Sequence, residues 1–243
     1  MSDSKIVVDS VSKGFGALSV VDGVSFDVRE GEFVAIVGPS GCGKSTLLNI
    51  IAGFERPDRG QVRINGVDRT GPSRNGIMIS QHGSVFPWLT VHENLMFGLS
   101  GTRHGDKKGR ADRYIDMVGL AGFEAAYPHE LSGGMLKRVE IARALVVKPE
   151  ILYMDEPFSA LDALMSLRMQ TELRRILDEE RHTVLLITHD VEEAIFLADR
   201  ILVLSPRPTT IQTTFDVDLP HPRKLSDPRA QVLREAILKE LGL

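Results

Sequence analysis

The stretch Gly38-Pro39-Ser40-Gly41-Cys42-Gly43-Lys44-Ser45 constrains this chain more than any other. Its spacing is Gly-x4-Gly-Lys-Ser. Before it, Glu32-Phe33-Val34-Ala35-Ile36-Val37 reads as a short buried strand; after it, Thr46-Leu47-Leu48-Asn49-Ile50-Ile51-Ala52 reads as a helix. Glycines in this setting let successive backbone N–H groups turn inward as an anion nest, and the following helix aims its positive end at the same point. Lys44 offers a point charge to the β- and γ-phosphates of a nucleotide, and Ser45 a hydroxyl to Mg²⁺. A chance match in a chain of this length is on the order of one per cent, so a glycine-rich turn without consequence is the poorer explanation. Strand, loop and helix in this order predict an α/β fold of the phosphate-loop NTPase type.

A second motif supports the first. In Ile151-Leu152-Tyr153-Met154-Asp155-Glu156 an apolar run ends in two acids. The run suits a parallel strand buried on both faces, and active-site residues in such sheets gather at the strands' carboxyl ends. Asp155 suits the neighbourhood of Mg²⁺, and Glu156 suits polarising an attacking water, two tasks that in-line hydrolysis requires. A pair of solvated acids closing a strand is the bland alternative.

Leu131-Ser132-Gly133-Gly134-Met135 opens an amphipathic helix, Leu136 to Leu145, with Ser132 as a natural N-cap. Two glycines beside a helix N-terminus make a second anion cradle. Over nearly its whole length the chain resembles the ATP-binding cassette (ABC) family, in which two cassettes meet head to tail. The resemblance implies that Ser132, Gly133 and Gly134 of one cassette close over the γ-phosphate held by the other. It further implies that ATP binds across Gly38, Pro39, Ser40, Gly41, Cys42, Gly43, Lys44, Ser45 and Thr46. Phe15, in Lys13-Gly14-Phe15-Gly16, matches the aromatic that stacks on adenine. Gln81, after Ile77-Met78-Ile79, matches the glutamine that reaches Mg²⁺ and the water. Ser159-Ala160-Leu161-Asp162 matches a loop crossing the dimer interface. His189, in Thr188-His189-Asp190, matches the histidine that contacts the γ-phosphate. The catalytic set is therefore Lys44, Gln81, Glu156 and His189, and the Mg²⁺ set Ser45, Gln81 and Asp155. His82, His92, His129 and His182 read as surface or packing residues.

The signature departs from the family's commonest form in ending on Met135 rather than glutamine. With Tyr127-Pro128-His129-Glu130 before it, that ending resembles the importer subfamily for nitrate, sulfonates and taurine. So do Val85-Phe86-Pro87-Trp88-Leu89-Thr90-Val91 and the tail from Ala194 through Ser205-Pro206-Arg207-Pro208 to Asp218-Leu219-Pro220-His221-Pro222-Arg223. The resemblance implies membrane permease subunits, a second copy or a homologous ATPase subunit, and a solute-binding protein as partners. It also implies a peripheral place on the cytoplasmic face of a bacterial inner membrane. The apolar cluster Phe86–Leu89 is the expected docking segment; core packing is its alternative.

Composition agrees with this reading. The chain has 243 residues, 42% of them hydrophobic and 26% charged, which is ordinary for a soluble globular protein. No apolar run approaches the ~20 residues of a membrane-spanning helix, and Met1 to Lys5 begins no signal peptide. The net charge of −4 leaves no basic footprint for nucleic acid. The single cysteine rules out an internal disulfide. That residue, Cys42, reads as a small filler in the phosphate loop, although a helix N-terminus favours thiolate.

One domain is expected. Residues 1–89 and 146–204 would form the α/β core with an antiparallel β subdomain, 90–145 a mostly helical lobe carrying the signature, and 205–243 a proline-broken tail ending in a helix over 230–241. Ser100 to Gly109 reads as a polar, glycine-rich loop. A DNA-repair ATPase shares the motifs but would carry a long coiled-coil or zinc-bearing insertion; a small-molecule kinase has no need of Leu-Ser-Gly-Gly or of His189.

Overall fold

In the computed structural model, residues 4–81, 83–100 and 106–243 are described. His82 and half of the loop Ser100 to Gly109, residues 101–105, therefore lie outside the described residues. Strand β3 (Phe33–Val37) is buried at all five positions. So are β7 (Ile151–Asp155) and β8 (Thr183–Ile187). They lie in a six-stranded sheet that also contains β6 (Gly76–Ile79), β9 (Arg200–Leu204) and β10 (Ile211–Asp216), in the order β10-β9-β3-β8-β7-β6. All neighbours are parallel except β10, which pairs antiparallel with β9.

These strands are apolar throughout because both faces of the sheet are covered. Side chains alternate between two cores, as a two-residue repeat requires. Val34, Ile36, Leu185, Ile187, Leu202 and Leu204 pack with Leu47, Leu48 and Ile51 of α1 (Lys44–Ala52). That core also takes Ile6, Val8 and Val28 from a second, antiparallel sheet: β2 (Leu18–Arg29), β1 (Ser4–Phe15), β4 (Arg59–Ile64) and β5 (Val67–Asp68), in that order. Helix α1 is thus held between two sheets. The other strand faces, through Ala35, Val37, Met154, Leu186 and Val203, meet the remaining helices.

The lobe consists of α2 (Val91–Gly98), α3 (Lys107–Met117) and α4 (Gly133–Leu145). Thr90 and Glu93 close a reciprocal capping box at the start of α2. Residues 118–132 are less helical than the expected lobe. Gly119 and Gly122 adopt positive φ and Pro128 opens only a short 3-10 turn, Pro128–Glu130. Helices α5 (Ala163–Glu180) and α6 (Val191–Leu197) begin at side-chain caps from Asp162 and Asp190.

The segment 205–243 is more than a tail beyond the core. Its β10 extends the main sheet, and α7 (Pro228–Glu240) packs on α6 with Ala230 and Ile237 in the core. Buried Arg223 fastens it by donating to the carbonyls of Leu219, Ile195 and Val217. Prolines on either side of β10 hide a six-residue strand whose alternate positions are half-buried.

Candidate functional site

The site forms where β3 and β9 deliver their carboxyl ends side by side. Gly38 follows β3 so closely against β9 that an added Cβ would stand 3.1 Å from Leu204 Cβ and 3.3 Å from Cys42 Sγ. Gly43 has φ +123°, and a Cβ there would lie 2.7 Å from Val20 Cγ1. Only glycine meets both demands at Gly43. Helix α1 starts directly after it with no side-chain cap, so its first N–H groups remain available to a ligand. The buried Lys44 folds back on the loop, its Nζ donating to Gly38 O at 2.8 Å and Pro39 O at 2.9 Å.

A cleft of about 640 Å³ opens over the loop. Ser40, Gly41, Gly43, Lys44, Ser45 and Thr46 line one side, and Gln81, Glu156 and His189 line the other. Phe15, about half exposed, forms the rim with Leu18 and Val20. It is therefore a pocket-edge aromatic rather than a core residue. With Arg207, six segments distant in sequence thus converge on one cavity.

Glu156 stands at its centre. Gln81 Nε2 lies 3.5 Å from Glu156 Oε2, and His189 Nδ1 lies 3.3 Å from Glu156 Oε1. The Glu156 backbone is left-handed, with φ +48°. It is held there by its N–H donating to Ile187 O at 2.9 Å and by Ser159 Oγ donating to its carbonyl at 2.9 Å. Behind His189, Thr188 Oγ1 donates to buried Glu193. Burial, with Asp190 and Glu156 nearby, pushes the Glu193 carboxyl up to about 8 despite that bond.

Asp155 is buried beside the loop. Burial raises its pKa, the Ser45 hydroxyl bonded to it opposes the rise, and the charge of Glu156 adds to it. Among the described residues no group of three or more His, Cys, Asp or Glu forms a metal cage. The Ser45 hydroxyl, the Gln81 amide and Asp155 behind them are few, hard oxygen donors. That set fits Mg²⁺, which keeps several waters and takes substrate phosphates.

Other expected residues are not brought together. Ser132, Gly133 and Gly134 do not line the cleft. They start α4, where Ser132 Oγ accepts from Met135 N at 3.3 Å, and Gly134 faces Ala160 and Leu161. Pro39 and Cys42 also stay off the cleft surface. The Cys42 thiol is turned into the core, and its N–H is used on Pro39 O at 3.2 Å, so in this conformation neither group is presented to a ligand. The filler reading accounts for its side chain.

Residues 80, 81 and 83–89 tie this site to the lobe. Lys137 Nζ donates to Ser80 O at 2.6 Å and pairs with Glu140 at 2.9 Å. Glu140 accepts from Ser84 Oγ at 2.7 Å, and Arg143 Nη2 donates to the same hydroxyl at 2.6 Å. Buried Asn94 donates to the carbonyls of Phe86, Leu89 and Thr90. The Arg143 guanidinium lies 4.7 Å from the Phe86 ring centroid, and Phe86 meets Phe97 edge-on at 4.6 Å. Trp88 is 70% exposed, so core packing does not explain it. The α4 side of this network has no short motif of its own in the sequence. Arg207 also lines the cleft, although the sequence offered it no role. Its signal was a cation between Pro206 and Pro208 just past a core strand, at the sheet edge where ligands gather.

Comparison with known proteins fits this geometry. A family model described as ABC transporter matches residues 21–159. An ATP-binding protein of Brucella abortus is 46% identical over 221 residues, covering 90% of this chain and 85% of its own. The aliphatic sulfonates import ATP-binding protein of Bacillus licheniformis is 44% identical over 228 residues, covering 94% of this chain and 89% of its own. The ATP-binding cassette MJ0796, solved as a dimer in a post-hydrolysis state bound to ADP and Pi, matches with a TM-score of 0.78 at 31% identity. That match covers 88% of this chain and 100% of the other. The chain belongs to the ABC transporter family, and it is an ATP-hydrolysing cassette of that family.

Proposed function

We propose that the chain powers a membrane importer by closing head to tail with a second copy or a homologous ATPase subunit. The observation that carries the pairing is the separation of the two anion cradles within one chain. The cleft over the phosphate loop is lined without Ser132, Gly133 or Gly134, while Ser132 and Gly133 are exposed and Gly134 is partly so. Facing a second chain, they complete its cleft.

The residues then divide the work. The loop from Gly38 to Thr46 holds the phosphates, and Phe15 takes the adenine. Lys44 leaves the carbonyls of Gly38 and Pro39 for the β- and γ-phosphates. Ser45 and Gln81 would hold Mg²⁺, with Asp155 orienting Ser45 from behind. The ion, when bound, neutralises charge on the phosphate oxygens. Glu156 polarises the attacking water, steadied by Gln81 and His189. Closure excludes bulk water and completes the site, which couples chemistry to motion.

Trp88 and Phe86 offer a permease subunit an apolar surface beside Gln81. No described helix is long and apolar enough to cross a membrane, so attachment through that surface suits a peripheral subunit on the cytoplasmic face of a bacterial inner membrane. A solute-binding protein would deliver the solute. The sulfonate-importing relative supports a small oxyanion as cargo: a sulfonate, taurine or nitrate. No observation favours the DNA-repair alternative; short helices occupy the lobe, with no coiled-coil insertion among the described residues.

Glu156→Gln tests the reading. It is expected to bind Mg-ATP, hydrolyse it about 10²–10³ times more slowly, and elute as a dimer from gel filtration with ATP. Wild-type rate per chain is expected to rise with protein concentration. Near-normal turnover would remove Glu156 from its role; a rate per chain independent of dilution would remove the pairing.

A further inference from the structure

The loop between β9 and β10 is bolted to the phosphate loop. Buried Thr209 donates through Oγ1 to Cys42 O and through its N–H to Val20 O at 2.8 Å. Its carbonyl accepts from Asp22 N at 2.9 Å. Ser205 Oγ ties the other end of the loop by accepting from Thr210 N at 3.0 Å. This anchoring leaves Arg207 over the glycine loop. Its Nη2 lies 3.2 Å from where a Cβ on Gly41 would stand, and its side chain lines the same cleft as Lys44 and Ser45.

Arg207 is exposed and makes no hydrogen bond or ion pair among the described residues. The neighbouring cation Lys44 is engaged by loop carbonyls. A guanidinium held over an anion nest, with no acidic partner, has five donors to offer to phosphate oxygens.

We propose that Arg207 is a further phosphate-binding residue of the nucleotide site, supplied by the segment after the core strands. This rests on the nucleotide-site reading above. Arg207 closes the nest over Gly41 and grips the bound nucleotide's phosphates, not its base or ribose. Because it is solvent-exposed, its effect is screened by salt.

Displacement of a fluorescent ADP from the isolated chain tests this, with ADP and inorganic pyrophosphate as competitors. Arg207→Gln is expected to weaken both about five- to tenfold, with the difference shrinking at high salt. Arg207→Lys, which keeps the charge without the planar fork, is expected to fall between. Melting temperatures without ligand are expected to match wild type, since the side chain holds no hydrogen bond or ion pair among the described residues. Lys44→Ala is the control. If it loses binding while Arg207→Gln stays within about twofold of wild type, the Arg207 proposal alone is overturned. Weakening of ADP without weakening of pyrophosphate overturns it too, since the contact is then with ribose or base. If wild type binds neither probe, or Lys44→Ala binds both as wild type does, the nucleotide-site reading falls and this proposal falls with it.

Discussion

Two glycine-flanked helix N-termini among the described residues, those of α1 and α4, are built differently. Helix α1 has no side-chain cap, and its loop is packed from below by Val20 and Leu204 and from the side by Thr209. Helix α4 is capped by Ser132, and its glycines face solvent and the loop at Ala160 and Leu161. The first is an unfinished structure that a ligand can finish. In the second, Ser132 Oγ takes up the Met135 N–H, and on the proposed reading its glycines meet phosphate only when another chain brings it. On the proposed reading, the uncapped end binds nucleotide within one chain and the capped end serves a partner's nucleotide.

Ser132→Arg puts the greatest strain on this contrast. Hydrolysis is expected to fall at least about a hundredfold, while nucleotide affinity of the isolated chain stays within about twofold. Mixed with Lys44→Ala, it is expected to rebuild at most one composite site per pair, read as partial recovery of turnover. Loss of affinity as large as that of Lys44→Ala would mean that the two N-termini serve one chain after all.

Glu193→Gln probes the wall of the first cradle. In the folded chain the Glu193 proton is held up to about pH 8, against an ordinary 4.5. Between those values the folded form binds more protons than the unfolded form, so this group's contribution to stability falls as pH rises through that window. The full loss is on the order of a few kcal/mol above pH 8. Glu193→Gln is expected to melt close to wild type near pH 5 and several degrees above it near pH 9. Parallel melting curves at all pH values would show that Glu193 ionises freely.

The smallest effect is expected of Ser132→Ala. Losing the cap bond is worth about 1 kcal/mol, a fall in melting temperature of about 2–4 °C. No such term exists at α1, which lacks a side-chain cap. An unchanged melting temperature would mean that the Ser132 bond to Met135 is too weak to count.

Much of the first cradle was legible because its chemistry is local. Gly38 to Thr46 is one continuous stretch between a strand and a helix, and Asp155 and Glu156 end an unmistakable apolar run. Strand β10 was not legible, since prolines on both sides mask six residues with little apolar content. Arg207 was hidden for a related reason: its place above Gly41 depends on the pairing of β9 with β3 and on Thr209 reaching across to Cys42, contacts that no local pattern carries. Lys137 and Glu140 read as the polar side of an amphipathic helix, yet they are buried. A mutual ion pair and Ser80 O make that burial tolerable. Trp88 was ambiguous between core and surface, and only the packing of α2 and α4 decides it.

The strap from Ser80 to Ser84 sets a limit on travel. One end continues β6 in the core sheet, where Ser80 O accepts from Lys137 of α4, and the other is held to α4 by Glu140 and Arg143. From Ile79 to Ser84 the chain has five steps, which reach at most about 17 Å when taut. The lobe is thus on a short leash with Gln81 on the leash itself. If a partner shifts Trp88 and α4 together, the slack is expected to come from the same few residues that place Gln81 beside Glu156.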